Sequence, residues 1–353
     1  MALMERIAPP QVVEARLEVL TPAFLGGANP QRTAEWRGAS VKGALRAWWR
    51  VACGARYGDP RALFREESRL FGTAGEKKEE SGRSLLTVVC RGEPRVLAAG
   101  NPVPKGPPIN RNNMQGVPYL AGQGLCRRGS FQRAALEAGQ TLQVRFEMGG
   151  MPSDQTRMAT ALALFLKWGS LGSRQRHGFG AFHLEGVEGE LEANSVEAVD
   201  WTKALKRDYS HAFGKDGSGL LAWRTEAKGN RWSDVLGKMG GHWYQIRHHF
   251  PLLDPQARNG QRTTERLLVG GYPMTAPDRN VPRGWGRYRH GSPLRLTLRR
   301  DAGNGGLYGV FYLLPHGWPR TLPRPLVHPE QTFQKLIDFM DRKFPGGRVG
   351  SIL

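Results

Sequence analysis

The chain has 353 residues, 39% of them hydrophobic, and carries 51 Lys and Arg against 31 Asp and Glu, a net charge of +20. That length suits two domains of ordinary size, and that apolar share is too high for a disordered chain. No apolar run reaches the ~18 residues of a membrane helix, and the N-terminus Met1-Ala-Leu-Met-Glu-Arg lacks the apolar core of an export signal, so a cytoplasmic protein without a membrane partner is expected.

The charge excess predicts a polyanionic partner. Its bases are 39 Arg and 12 Lys, and arginine offers the planar five-donor fork that suits phosphates and stacks on bases. Cys53, Cys90 and Cys126 are odd in number and far apart, with no Cys-x-x-Cys and no Cys/His cluster. That argues against a disulfide framework and against a zinc site, and no metal or cofactor is expected.

In chain order, Val12 to Leu20 alternates, with Val13, Ala15, Leu17 and Val19 on one side, and predicts a half-buried strand. Ser40 stands as an N-cap before a helix running to about Arg56. Leu85 to Cys90 predicts a second strand, followed by a Pro/Gly/Asn-rich stretch from about Gly92 to Gly129. Thr141 to Met148 predicts a third strand, Gln155 to Trp168 a helix, and Phe179 to Val187 a fourth strand. The order β-α-β-β-α-β is that of a ferredoxin-like unit, which also underlies RNA-recognition modules.

Beyond residue 190 the pattern is less regular. Val196 to Phe213 and Trp232 to Met239 predict helices, Trp243 to Phe250 a strand, Pro293 to Arg299 and Leu307 to Leu314 a hairpin, and Pro329 to Phe344 a closing helix. The expected fold is α+β: two ferredoxin-like domains with long insertions, residues 1–190 and a more decorated 191–353.

Three constellations carry chemistry. On the first helix, Lys42, Arg46 and Arg50 recur every four residues, with Trp49 at the edge of that face and no acidic residue at i±3 or i±4. Such a stripe reads either as a solvated basic face or as a surface that tracks a phosphate backbone, with Trp49 a stacking platform or a rim residue. The second is Gly169 to Gly180, whose Gly172, Ser173, Arg174, Arg176, His177 and Gly178 lie between a helix and a strand. Dinucleotide and Walker loops run from strand into helix, so both nucleotide-cofactor readings fail. A glycine loop that lets the backbone approach a phosphate remains, beside a plain long turn. The third is residues 255–300, with ten Arg, two acids, and Tyr272, Trp285, Tyr288 and His290 interleaved, the composition of a single-strand groove. Catalytic candidates are thin: no paired carboxylates stand near a His, and His177 alone could act as general base in metal-free RNA cleavage.

These residues resemble the RAMP superfamily of CRISPR effector subunits, and within it the branch of the first Cmr subunit of the type III-B complex. The resemblance rests on Leu20-Thr-Pro-Ala-Phe-Leu-Gly-Gly-Ala followed by Ser40-Val-Lys-Gly-Ala-Leu-Arg-Ala-Trp-Trp-Arg, and on the glycine-rich loop Gly169 to Gly180. It also rests on the basic segment Arg287-Tyr-Arg-His-Gly-Ser-Pro-Leu, where His290-Gly291 departs from the usual pattern. It is strong over residues 12–56 and 165–187 and weak from about 190 to 290. It implies a non-catalytic RNA-binding subunit near the 3′ end of the guide RNA that engages the 5′ part of the target, while another subunit cuts. The implied partners are guide RNA, target RNA and the other Cmr subunits. The implied RNA contacts are Lys42, Arg46, Trp49, Arg50, the 172–178 loop, Arg287 and Arg289. The alternatives are a metal-independent endoribonuclease that processes guide RNA through His177, and a scaffold that docks only other subunits.

Overall fold

In the computed structural model, which describes residues 8–73, 82–250, 264–271, 290–318 and 328–353, the predicted alternation becomes strand β1, Gln11–Val19. Val13, Ala15, Leu17 and Val19 are buried on its inner face. β1 is flanked on both sides. β3, Thr141–Met148, pairs with it antiparallel, Leu17 opposite Leu142; β4, Phe182–Glu188, pairs with the other edge, with an irregularity after Arg16. β2, Leu86–Arg91, closes the sheet beside β3 in the order β2-β3-β1-β4.

Two helices cover one face of this sheet. α1 is Gly38–Cys53 and α4 is Pro152–Trp168, and they pack against each other through Val41, Leu45, Trp48, Met158, Leu162 and Phe165. α1 begins three residues earlier than predicted. Arg37, in extended conformation, is its N-cap, and Ser40 Oγ accepts from Arg37 Nε at 3.2 Å inside the first turn. Between α1 and β2 lies α2, Pro60–Phe71, capped by Asp59, which accepts from the Arg61 amide. The stretch before β3 holds α3, Gly116–Ala121, a long-range antiparallel pairing of Val96–Leu97 with Ala135–Leu136, and the small hairpin of Cys126–Arg127 with Ser130–Phe131.

The second half departs more from expectation. Residues 196–213 are not one helix: they hold the short strand Val199–Asp200, the single turn Trp201–Ala204, and bends. The segment 243–250 is not a strand. It is the end of one continuous helix, α5, Trp232–His249. Gly240-Gly241 reads as a break in sequence, yet a Cβ at Gly240 would lie 2.4–2.6 Å from the Gly116 backbone, so the glycine serves close packing of α5 on α3. α5 covers a three-stranded antiparallel sheet of β5 (Ala222–Gly229), β6 (Leu294–Arg300) and β7 (Leu307–Leu313), in the order β5-β7-β6. A short helix, α6, Thr264–Gly270, and the closing α7, Pro329–Lys343, complete it. Beside β5, on its free edge, the C-terminal segment makes an antiparallel bridge: the Arg224 amide donates to Gly347 O at 2.7 Å and the Val349 amide to Ala222 O at 2.9 Å. Mixed α+β architecture with antiparallel sheets is therefore the observed class.

Two apolar cores result, and each draws on both halves of the chain. The first, under the β1 sheet, takes in Phe213, Tyr312 and Leu314; the second, under α5 and α7, takes in Leu20, Phe24 and Phe179. In the first core Trp168 ties the two halves of the chain: its indole Nε1 donates to Ile352 O at 2.7 Å, and the Tyr312 ring lies tilted against it at 5.2 Å. Among the described residues no helix is long and apolar enough to cross a membrane.

Candidate nucleic-acid interface

The basic stripe on α1 does not face open solvent. Arg50 holds Glu67 of α2 through two bonds, Nε to Oε2 at 2.5 Å and Nη2 to Oε1 at 2.7 Å. Arg46 sits 3.8 Å from the same carboxylate and donates to the carbonyls of Phe71 and Gly72. The absence of an acid at i±3 or i±4 was thus no guide, because the partner lies 17 residues away on the next helix. Lys42, half-buried beside Arg46, has its pKa lowered by burial and by that neighbour. Trp49 is fully buried, with Tyr57 and Phe71 around its ring, so it is a core residue and no platform for a base.

The glycine-rich loop is held from several sides. The Ser173 amide donates to Phe24 O at 3.0 Å, Thr21 Oγ1 to Gly178 O at 2.8 Å, and the Leu296 amide to Arg176 O at 3.1 Å. Its glycines answer this packing. Gly172 has φ +84 and a Cβ there would meet the Phe24 backbone at 2.6 Å; Gly178 has φ +83 and would meet Leu296 and Leu236 at 2.5 and 2.6 Å. Gly178 is buried and unavailable to a ligand. Arg174, itself at φ +61, packs over Gly122, and burial with the nearby Arg247 lowers its pKa. Arg176 turns inward against Gly291, where burial and Arg295 lower its pKa to about 9.

His177 stands edge-on to Trp243 at 5.3 Å. Burial, then Arg174, Arg247 and Arg176, push its pKa down to about 3, so its ring is neutral at physiological pH and a weak base. Arg287 and Arg289 lie outside the described residues, as do Tyr272, Trp285 and Tyr288.

What the loop does offer to solvent is a cleft of about 330 Å³, lined by Phe24 to Gly26, by Arg37, Ser40, Gly43 and Ala44 of the α1 entry, and by Gly172, Ser173 and Gln175. The N-terminal end of α1 opens on it, and the positive end of a helix dipole favours an anion. At 100° per residue Lys42 lies about 160° from Ser40 and Ala44, so Lys42 points away from that wall of the cleft, and Arg46 and Arg50 are turned to Glu67 on α2. Of the predicted contacts, then, the structure brings together Gly172 and Ser173 with the start of α1, and keeps Lys42, Arg46 and Arg50 apart from them. Arg37 was missed, although a base immediately before a helix rich in small residues was a readable signal.

Three comparisons bear on kinship. Residues 16–183 match the RAMP superfamily. Over 77 residues, 22% of this chain and 41% of the relative, the chain is 36% identical to CRISPR system Cmr subunit Cmr1-2 of Pyrococcus furiosus, and so spans less than half the length of that relative. Its fold is that of the crystal structure of Cmr1 from Pyrococcus furiosus in apo form, with TM-score 0.50 at 15% identity, covering 93% of this chain and 97% of that one. A subunit of the type III-B Cmr-beta complex bound to cognate target RNA aligns at TM-score 0.48 and 11% identity, covering 93% and 99%. The family likeness is thus carried by residues 16–183, which match the RAMP superfamily.

Proposed function

We propose that this chain is a non-catalytic RNA-binding subunit of a type III-B Cmr effector. In this reading it lies near the 3′ end of the guide RNA, engages the 5′ part of the target RNA, and works in the cytoplasm beside other Cmr subunits. It would comprise two ferredoxin-like units, residues 1–190 and 191–353, the second completing its sheet with the 347–349 segment in place of a full fourth strand. The observation that carries the reading is the open cleft where Gly172 and Ser173 meet the positive end of α1 beside Arg37, in a chain of net charge +20 that matches the RAMP superfamily over residues 16–183. The kinship to a Cmr1-2 subunit supplies the assembly. A role without cleavage is supported by the low basicity of His177.

The test is binding of single-stranded RNA to the full chain across a salt series. Ser173→Asp, which places a carboxylate in the cleft, and Arg37→Ala should each weaken binding similarly for unrelated sequences, and Arg37→Ala should flatten the salt slope by about 0.7. Wild-type affinity and slope in both variants would exclude the cleft. Repeat-RNA cleavage that vanishes in His177→Ala would replace the reading with the endoribonuclease.

A further inference from the structure

Several arginines in the second half of this molecule have a carboxylate. On β6 itself Arg300 is paired with Glu18 of β1, Arg348 holds Asp216 and Asp341, and Arg224 holds Asp301. Four neighbouring cations depart from this pattern. Arg295 and Arg299, four residues apart, lie on one face of β6, both half-buried, about 13 Å apart along the strand. Arg176 of the glycine loop stands beside Arg295, and Lys167 of α4 beside Arg299. None of the four forms an ion pair among the described residues; Arg299 presses on Lys167 and Arg295 on Arg176, and the titratable groups beside Arg295 and Arg299 are the phenols of Tyr308 and Tyr312.

Their immediate partners are neutral. Arg295 Nη2 donates to Ser210 Oγ at 3.3 Å, and the Arg299 guanidinium lies 4.6 Å over the Trp168 ring. Arg295 Nε and Arg299 Nη2 are buried and have no hydrogen-bond partner among the described residues. The nearby Tyr312 phenol cannot neutralise them, because burial raises its pKa. A guanidinium removed from water with a donor left unmade costs free energy, and like charges side by side add to it. A row of such groups, fork-shaped and set on an aromatic floor, is suited to oxygens that carry negative charge.

We infer that the cluster of Lys167, Arg176, Ser210, Arg295 and Arg299 around the Trp168 ring is a second seat for RNA phosphates, with Arg295 and Arg299 each holding a different phosphate of one strand. It lies where α4 and the glycine loop meet the edge of the second sheet, apart from the cleft at the start of α1, and its ligand class rests on the RNA-binding reading.

The experiment uses the full chain, a fluorescein-labelled single-stranded RNA and a salt series, with inorganic tripolyphosphate in a parallel thermal-shift assay. Arg295→Gln/Arg299→Gln should lower RNA affinity at least tenfold and flatten the salt slope by about 1.4, two phosphates' worth for a single strand. Arg295→Lys/Arg299→Lys should retain most of the binding, which separates charge from fold. Tripolyphosphate should raise the Tm of the wild type and not of the Gln variant. If the Gln variant does not fold, Arg176→Gln carries the same expectation with about half the loss of slope. RNA binding by the Gln variant with wild-type affinity and slope overturns the inference and leaves the RNA reading standing. A wild type that binds no RNA at low salt overturns that reading; the seat is then decided by tripolyphosphate, and equal stabilisation of both proteins overturns it.

Discussion

Arg50 of α1 and Glu67 of α2 face each other across two short, near-parallel hydrogen bonds, with the carboxylate almost wholly buried and the guanidinium partly exposed. Arg46 adds a third cationic contact to the same carboxylate. The pair ties α2 to α1 over the point where the backbone leaves Phe71 for Gly72. Glu67→Gln should therefore destabilise the fold by about 2 kcal/mol, less than a fully buried pair would lose because Arg50 keeps some water. Arg50→Ala should lower stability in the same direction while leaving the salt slope of RNA binding unchanged. Denaturant unfolding and a salt series on the same variants check both halves.

Trp49 belongs to the same environment. Its side chain is buried against Tyr57 and Phe71, and its Nε1 has no hydrogen-bond partner among the described residues. Trp49→Phe removes that unmet donor but leaves a void, so a net loss of about 1–2 kcal/mol is expected, with RNA affinity unaltered. A selective loss of RNA affinity at unchanged stability would contradict the packing seen.

The elements that were legible in sequence are those whose side chains obey a local period. β1, β3 and α4 alternate or repeat with one buried face, and their neighbours in space only confirm that face. What failed depended on contacts distant in sequence. Gly240-Gly241 looked like a break until α3 packed upon it, and the Lys42/Arg46/Arg50 stripe looked unpaired because Glu67 arrives from another helix. The glycine loop was recognisable as a special segment, but its glycines fit Phe24, Leu236 and Leu296 instead of only a ligand. Arg295 and Arg299 were counted within a basic stretch; their shared face follows from the period of β6, but the missing carboxylates could be seen only after folding.

Two glycines should therefore respond in opposite ways to the same change. Gly178 is buried at φ +83, and an added methyl would press on Leu296 and Leu236, so Gly178→Ala should cost about 2–4 kcal/mol from backbone strain and overpacking together. Gly43 is an exposed residue inside α1 with nothing within 4 Å of an added Cβ, and Gly43→Ala should stabilise by about 0.5–1 kcal/mol. Thermal and denaturant unfolding of the two variants measure the difference. Stabilisation by Gly178→Ala would mean that the loop is not packed as described.

Acid sensitivity follows from the histidines. His177 is held to a pKa of about 3 and His290 to about 4 by burial, against an ordinary value of 6.5; Arg174, Arg176 and Arg247 press on the first, Arg176 on the second. Between those values and 6.5 the unfolded chain binds more protons than the folded one, so stability rises with pH across that window. Their contribution is complete above 6.5 and is lost as pH falls toward the folded-state values, at up to about 1.4 kcal/mol per pH unit for each ring. The protein should accordingly melt at lower temperature at pH 5 than at pH 7, and His177→Phe, which keeps a ring against Trp243, should reduce the slope by about one proton. An unchanged slope in that variant would show that His177 titrates alike in the folded and unfolded chain, and the ring would then have the basicity that cleavage chemistry requires.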